Sequence, residues 1–216
     1  MNSIPIVSFV GKSGSGKTTV LEKVITRLVK KGYRVGIIKH DAHGFEIDHE
    51  GKDSWRHKMA GAKVVVLSSP KKVALVKDVK EEMTVDALKF NFLNNNLDII
   101  ITEGYKKAKN PKIEVIRQKA ESVCKGDKYL IAYASDIKLK TKLPCLDINN
   151  AKSIANFIEK KFLKNKLEQK VHLMVNGKDV SLKPFIAKLL IEAVSGMIRS
   201  LKDCETANEI DIRIRE

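Results

Sequence analysis

Short apolar runs alternate with amphipathic stretches over the first 163 residues, and this alternation predicts strands and helices in turn. An apolar, β-branched run over 4–10 predicts a first strand, and a similar run over 34–39 predicts a second. Between them, apolar residues at positions 20, 21, 24 and 28 lie on one face of a helix over 19–31. A strand, a helix and a strand imply a parallel sheet with a right-handed crossover.

The run over 97–105 is almost uninterruptedly aliphatic, so we expect a central strand that is buried on both faces. Asp53 and Ser54 are expected to cap a helix that ends near Ala60. The segment Ser68–Pro70 is expected to end a strand over 62–67. A strand over 72–77 is expected to be antiparallel to the strand before it, because the gap between them is too short for a helix. The remaining predicted elements are strands over 111–117, 129–136 and 146–148, and helices over 84–93 and 151–163.

The last quarter of the chain has a different pattern, which predicts a separate small α+β module. Residues 164–170 form a charged linker, and residues 171–182 alternate around Asn176-Gly177, a strong hairpin signal. Pro184 opens an amphipathic helix, and residues 209–215 alternate again as a strand would. We therefore predict a main α/β domain over 1–165, with a mostly parallel sheet flanked by helices, and a module over 166–216.

Composition limits the possible classes of protein. The chain has 216 residues, of which 43% are hydrophobic, and contains no apolar run long enough to span a bilayer. The N-terminus lacks the basic region of a signal peptide, and the three cysteines are far apart. We expect a cytoplasmic protein without membrane contact, with Cys124, Cys145 and Cys204 as reduced thiols.

The net charge of +15 would attract an anionic partner or ligand. The lysines are spread along the chain, however, with only short clusters and little aromatic interleaving for base stacking. A solvated lysine-rich surface is at least as good an explanation, so a nucleic-acid partner is not expected.

The segment Gly11–Thr18 carries the clearest chemistry. It fits G-x-x-x-x-G-K-[ST], the phosphate-binding P-loop, and lies between a predicted strand and helix, as that motif requires. Glycines let backbone N–H groups approach phosphate oxygens, Lys17 would place a cation against the β- and γ-phosphates, and Thr18 would ligate Mg²⁺. The chain is thus predicted to be a P-loop NTPase, with nucleotide contacts from Gly11, Ser13, Gly14, Ser15, Gly16, Lys17, Thr18 and Thr19.

The strand over 97–105 brings Glu103 to its carboxyl end, where ligands bind in open α/β sheets. A carboxylate there fits the Walker-B role of holding Mg²⁺ or orienting the attacking water, and the alternative is a salt bridge to a lysine. Asp98 should lie too far away, since strands rise about 3.3 Å per residue.

Asp136 ends the predicted strand over 129–136, and its carboxylate could accept hydrogen bonds from N1–H and the exocyclic amine of guanine. An ordinary strand-end turn is the alternative. The guanine motif N-K-x-D is absent, so the local sequence does not choose between GTP and ATP.

The stretch over 40–57 contains four of the five histidines and several carboxylates. In nucleotide-hydrolysing P-loop proteins, the loop after the first crossover often senses the γ-phosphate and its Mg²⁺, which makes Asp48 a candidate catalytic residue. The alternative is a metal site, because His40 and His43 form an H-x-x-H pair near His49, although no complete tetrahedral set has the required spacing.

Beyond the P-loop, five further segments occur in a specific order: Ile38-Lys39-His40, Asp48-x-x-Gly51-Lys52-Asp53-Ser54, Ala60-Gly61-Ala62, Glu103-Gly104-Tyr105-Lys106 and Pro111-Lys112-Ile113-Glu114-Val115. Together with the P-loop they resemble the MobB family, the molybdopterin-guanine dinucleotide biosynthesis adaptor proteins, over about residues 4–163. The segment from residue 171 is not part of the basic family pattern.

This resemblance implies a GTP-binding, weakly hydrolysing protein with Mg²⁺, usually a homodimer, that assists the attachment of GMP to molybdopterin. The implied partners are the molybdenum cofactor guanylyltransferase and molybdopterin-loaded proteins. Glu103 carries over as the Walker-B carboxylate, and Asp48 and Lys52 carry over as candidates for the switch region. Lys12 lies where some dimeric P-loop proteins carry a lysine that reaches the partner's nucleotide, and a solvated lysine is the alternative.

Three other functions are alternatives to the adaptor role. A small-molecule kinase would carry an arginine-rich lid, whereas the region over 112–128 contains only Arg117. A metallochaperone-like GTPase would use the histidines of the 40–57 stretch. A nucleic-acid-binding ATPase ranks last, because the chain lacks a helicase motif set.

Overall fold

The computed structural model describes residues 4–41, 44–45, 47–93, 97–118, 120–164, 171, 173–175, 178–180, 182–207, 210, 212 and 214. Its centre is a six-stranded, all-parallel sheet in the order β2-β5-β1-β6-β7-β8. The predicted parallel sheet is therefore confirmed, and the aliphatic run near residue 100 is an interior strand. The strands are β1 Ile6–Val10, β2 Val35–Lys39, β5 Ile99–Glu103, β6 Lys112–Ile116, β7 Leu130–Ser135 and β8 Cys145–Asp147.

Helices cover both faces of this sheet. On one face, α1 (Lys17–Lys30) and α4 (Ala151–Ile158, continued by a π turn over Glu159–Leu163) bury their apolar residues against the strands. On the other face, α3 (Val85–Phe92) places Val85 against alternate residues of the same strands. Successive side chains of a strand point to opposite faces, so an apolar run such as β5 is buried from both sides.

Strand β6 carries two buried charges that tie the following loop to the sheet. The Lys112 ammonium lies 2.6 Å from an Asp127 carboxylate oxygen, and this hydrogen bond lowers the pKa of Asp127. The Glu114 carboxylate accepts hydrogen bonds from the Ser122 hydroxyl and the Val123 N–H. A buried charge is tolerated when it is paired, so the loop over 117–128 is held across the sheet by these contacts.

Two predicted boundaries are wrong. Strand β3 (Val64–Ser69) does not end before Ser68, because Ser68 and Ser69 continue the antiparallel pairing with β4 (Lys72–Lys77). Helix α2 (Asp53–Met59) has no side-chain cap: its N-cap residue is Lys52, and the Ser54 hydroxyl instead donates to Asp48. The antiparallel pairing predicted for 72–77 is confirmed, and β3 and β4 form a hairpin separate from the main sheet.

In the C-terminal segment, β9 (Leu173–Val175) and β10 (Lys178–Val180) pair antiparallel, and α5 (Pro184–Arg199) follows. Strand β10 approaches α3 within 8 Å between Cα atoms. The turn residues Asn176 and Gly177, and four of the seven residues of the strand predicted over 209–215, lie outside the described residues. The division into two domains stays a prediction.

Within the described ranges, no helix has the length and hydrophobicity needed to cross a membrane.

Candidate nucleotide-binding site

The loop between β1 and α1 contains glycines whose backbone conformation other residues rarely adopt. Gly11 has a φ of 149°, and a Cβ on it would lie 2.5 Å from the Val115 carbonyl oxygen. Gly16, with a φ of 83°, is the N-cap of α1, so the free N–H groups of the first helical turn face the loop. The backbone can thus wrap closely around an anion at the helix N-terminus, as the sequence predicts.

Two polar side chains of the loop fit this purpose. The Lys17 ammonium donates hydrogen bonds to the carbonyl oxygens of Lys12 (2.8 Å) and Gly11 (3.3 Å), so it lies against the loop. Burial lowers the pKa of Lys17, and the nearby Glu103 carboxylate partly opposes this shift. The Ser15 hydroxyl is buried and has no hydrogen-bond partner among the described residues. An unpaired buried hydroxyl and a partly buried cation are consistent with a site that receives phosphate.

Thr18 and Glu103, the two predicted Mg²⁺ ligands, lie in contact with each other in the structure. Strands β1 and β5 are neighbours, with Phe9 opposite Glu103, so the end of β5 lies beside the loop. The Thr18 hydroxyl donates to a Glu103 carboxylate oxygen at 2.7 Å. Two adjacent ligands of octahedral Mg²⁺, each at about 2.0–2.1 Å, lie about 2.9 Å apart, so these two oxygens fit the ion. Asp98 lies at the other end of β5, away from the loop, and pairs with Arg34.

His40 packs against the segment that follows Glu103. Its N–H donates to the Glu103 carbonyl oxygen, and its ring lies 4.7 Å from that of Tyr105. Its Nε2 lies 2.8 Å from a Glu82 carboxylate oxygen. His43, the other member of the H-x-x-H pair, lies outside the described residues. In the part of the chain that is described, no three His, Cys, Asp or Glu residues are grouped to hold a metal ion.

The other predicted site residues make local contacts. Asp48 accepts from Ser54, and the Lys52 carbonyl oxygen accepts the Arg56 N–H in the first turn of α2. Asp136 accepts the Gln118 N–H at 2.9 Å, which engages one of the two carboxylate oxygens that a guanine would need. The switch roles of Asp48 and Lys52 and the guanine contact of Asp136 stay predictions. Ser13, Gly14 and Thr19 are exposed in the loop and the first turn of α1.

Arg117 is a site residue that the sequence analysis considered only as evidence against a kinase lid. It directly follows β6, and its guanidinium lies against Gly16: the Nε atom is 3.1 Å from the position that a Cβ on Gly16 would take. The only signal in the sequence was its position as the last residue of the strand predicted over 111–117. That place becomes meaningful because β6 pairs with β1, the strand that leads into the loop.

A glycine loop that joins the first strand of a parallel sheet to a helix, with a carboxylate from the neighbouring strand beside it, defines the P-loop NTPase class. The predicted fold class is confirmed. Comparison with known proteins narrows the class: the MobB family model, described as molybdopterin guanine dinucleotide synthesis protein B, matches residues 6–136. The chain therefore belongs to the MobB family, as the resemblance predicted.

Individual relatives agree. The chain is 39% identical over 159 residues to the molybdopterin-guanine dinucleotide biosynthesis adapter protein of Haemophilus influenzae, covering 73% of this chain and 89% of that protein. A crystal structure of molybdopterin-guanine biosynthesis protein B matches with a TM-score of 0.59 at 30% identity, covering 72% of this chain and 97% of that one. A relative from Methanocaldococcus jannaschii, 26% identical over 232 residues, covers 97% of this chain, so its match includes the C-terminal segment.

Proposed function

We propose that this chain binds GTP with Mg²⁺ at the P-loop, hydrolyses it slowly, and acts as an adaptor in the attachment of GMP to molybdopterin. The observation that carries the nucleotide part is the 2.7 Å contact between Thr18 and Glu103, beside a loop shaped for phosphate. Family membership supports the adaptor part, since the Haemophilus influenzae relative is named for that role. Because that relative is named for a guanine dinucleotide, we expect the chain to bind GTP in preference to ATP.

Each residue of the site has a distinct task in this proposal. The loop N–H groups bind the phosphate oxygens, and Lys17 places its ammonium against the terminal phosphates. Thr18 and Glu103 would hold Mg²⁺, which would supply charge neutralisation. Glu103, at the end of β5, would also orient the attacking water. Asp48 would complete the site from the switch region.

The implied partners are anionic, and one surface of the chain suits them. A cleft of about 510 Å³ lies between α1 and the start of α4, and Lys23, Arg27, Lys30 and Lys152 line it together with neutral residues. Phosphorylated pterins and an acidic protein surface would both be attracted to such a cluster. We propose that the guanylyltransferase or a molybdopterin-loaded protein docks on this side.

The adaptor proposal predicts a base preference and an effect on a partner. We expect GTP to bind at least about tenfold more tightly than ATP in the presence of Mg²⁺, a difference of about 1.4 kcal/mol. Adding the chain to a guanylyltransferase assay that contains GTP should raise the yield of molybdopterin-guanine dinucleotide, whereas adding Lys17→Ala should not. Calorimetry and product analysis measure the two effects. A preference for ATP, or phosphoryl transfer to an added hydroxyl compound, would favour the kinase function instead.

We further propose that the chain forms a homodimer through the β3–β4 hairpin. Residues that face each other across an antiparallel pair lie on the same side, so Val66 and Leu75 share one face with Val64 and Val73. These four apolar side chains are 43–68% exposed. A contiguous exposed apolar face is typical of a protein interface, and a second copy of the hairpin would bury it.

Val66→Glu is therefore expected to turn the dimer into a monomer, because a buried carboxylate without a partner strongly disfavours the interface. Light scattering after gel filtration would show the mass falling from two chains to one. Lys71→Glu, at the exposed tip of the same hairpin, also adds a carboxylate and should leave the mass unchanged. An unchanged dimer in Val66→Glu would place the interface elsewhere.

A further inference from the structure

Arg117 reaches the P-loop from a strand that the nucleotide motif does not include. Its Nε, Cζ and Nη2 atoms lie 3.1, 3.3 and 3.4 Å from the position of a Cβ on Gly16. Gly16 immediately precedes Lys17 and caps the N-terminus of α1. The guanidinium thus lies where a side chain on Gly16 would be, next to the part of the loop where the helix presents its free N–H groups.

The backbone beyond Arg117 is held in an uncommon conformation. Gln118 has a φ of 56°, a left-handed value that few residues other than glycine adopt. Its N–H donates to the Asp136 carboxylate at 2.9 Å, so the end of β7 fixes the turn at the end of β6. This turn determines the direction in which the chain leaves the sheet, and so the side from which Arg117 reaches the loop.

The Arg117 guanidinium adds positive charge at the N-terminus of α1. Arg117 is exposed, and no acidic group among the described residues forms an ion pair with it. The positive end of the α1 dipole lies at the same place, because Gly16 caps that helix. Like charges repel, so this arrangement is favourable when an anion binds among them. A guanidinium has the planar fork that matches two phosphate oxygens.

We propose that Arg117 contacts the phosphate chain of the bound nucleotide in the ground state, and that Asp136 is the positioning residue that holds it there through the N–H of Gln118. The inference rests on the proposed function, because it needs a nucleotide in the P-loop. It gives Asp136 a role in phosphate binding that differs from reading guanine. It also adds to the motif a cation that is about 100 residues away in sequence.

The test compares Arg117→Ala with wild type for two probes, GTP and inorganic tripolyphosphate, the second of which has no base or ribose. We expect both to bind about tenfold more weakly, the lower end of the range for a charge-assisted hydrogen bond, because Arg117 is exposed. Arg199→Ala removes the same charge from an exposed position at the end of α5, outside both the P-loop and the basic cleft, and should change either affinity less than about twofold.

The outcomes separate this inference from the function beneath it. If wild type binds neither probe, the proposed function fails and this inference fails with it. If wild type binds both and Arg117→Ala matches Arg199→Ala, only the role of Arg117 is overturned. Weaker binding of GTP alone would assign Arg117 to the nucleoside and refute the phosphate contact.

Asp136 has its own test. In the wild-type background, Asp136→Ala should weaken the binding of both probes. In the Arg117→Ala background it should have no further effect, because Asp136 acts through Arg117. Asp136→Asn keeps an oxygen that accepts the Gln118 N–H, so it should restore the affinity for both probes. If Asp136→Asn instead loses affinity for GTP and keeps its affinity for tripolyphosphate, Asp136 contacts the guanine base and the positioning role is wrong.

Discussion

Lys17→Ala is expected to weaken GTP binding about 1,000-fold, which corresponds to about 4 kcal/mol. Lys17 lies over the loop and supplies an ammonium that donates to loop carbonyl oxygens, so it is positioned within reach of a phosphate chain held by the same loop. Charge-assisted hydrogen bonds are roughly twice as strong as neutral ones, and alanine offers none. Calorimetric titration with GTP and Mg²⁺ would measure the loss.

Lys12→Ala is the matched control, because it removes the same charge from an exposed lysine of the same loop. If Lys12 is only a solvated side chain, the variant should bind within about twofold of wild type. A large loss in Lys12→Ala that appears only in the dimer would support a contact with the partner subunit's nucleotide. Binding by Lys17→Ala at wild-type affinity would show that the loop does not hold the phosphates, and the proposed function would fail.

The pH dependence of binding provides a second check on Lys17. Burial lowers its pKa, and only the protonated form attracts phosphate. The contribution of Lys17 to affinity should therefore be complete at low pH and begin to fall at a lower pH than the contribution of an ordinary lysine. Lys17→Ala should lack this phase of the titration.

The fold and the centre of the site could be predicted from sequence because short segments encode them. The glycines, Lys17 and Thr18 are adjacent in the chain, and the apolar run that carries Glu103 identifies a buried strand whose end must lie at the ligand edge of the sheet. These two facts put Thr18 and Glu103 at one edge of the sheet, where their side chains are in contact, and their role as metal ligands stays a prediction.

The role of Arg117 could not be predicted in the same way, because it depends on the order of strands in the sheet. Nothing in the local sequence says that β6 pairs with β1, and only this pairing brings Arg117 to Gly16. The predicted cap of α2 was wrong for a different reason. Ser54 has the right residue type for a cap, but the helix begins at Asp53, so Ser54 lies inside the first turn, where its hydroxyl donates to Asp48.

Glu103→Gln tests the metal part of the proposal. We expect GTP hydrolysis in the presence of Mg²⁺ to fall about 100-fold, or about 2.7 kcal/mol in the barrier, because a neutral amide is a poor ligand for Mg²⁺ and a poor orienter of water. GTP binding in excess chelator should stay within about threefold of wild type, since Lys17 and the loop N–H groups remain. Phosphate release at a series of Mg²⁺ concentrations measures the change.

Asp98→Asn is the control, because it alters a carboxylate at the opposite end of β5, about 16 Å along the strand from Glu103. Asp98 pairs with Arg34, so its replacement should affect stability modestly and leave the Mg²⁺ dependence of hydrolysis unchanged. If Glu103→Gln hydrolyses GTP with the wild-type rate and Mg²⁺ midpoint, Glu103 is not a metal ligand. Its contact with Thr18 would then only hold β5 against α1, and a lowered melting temperature with unchanged activity would be the result that identifies this structural role.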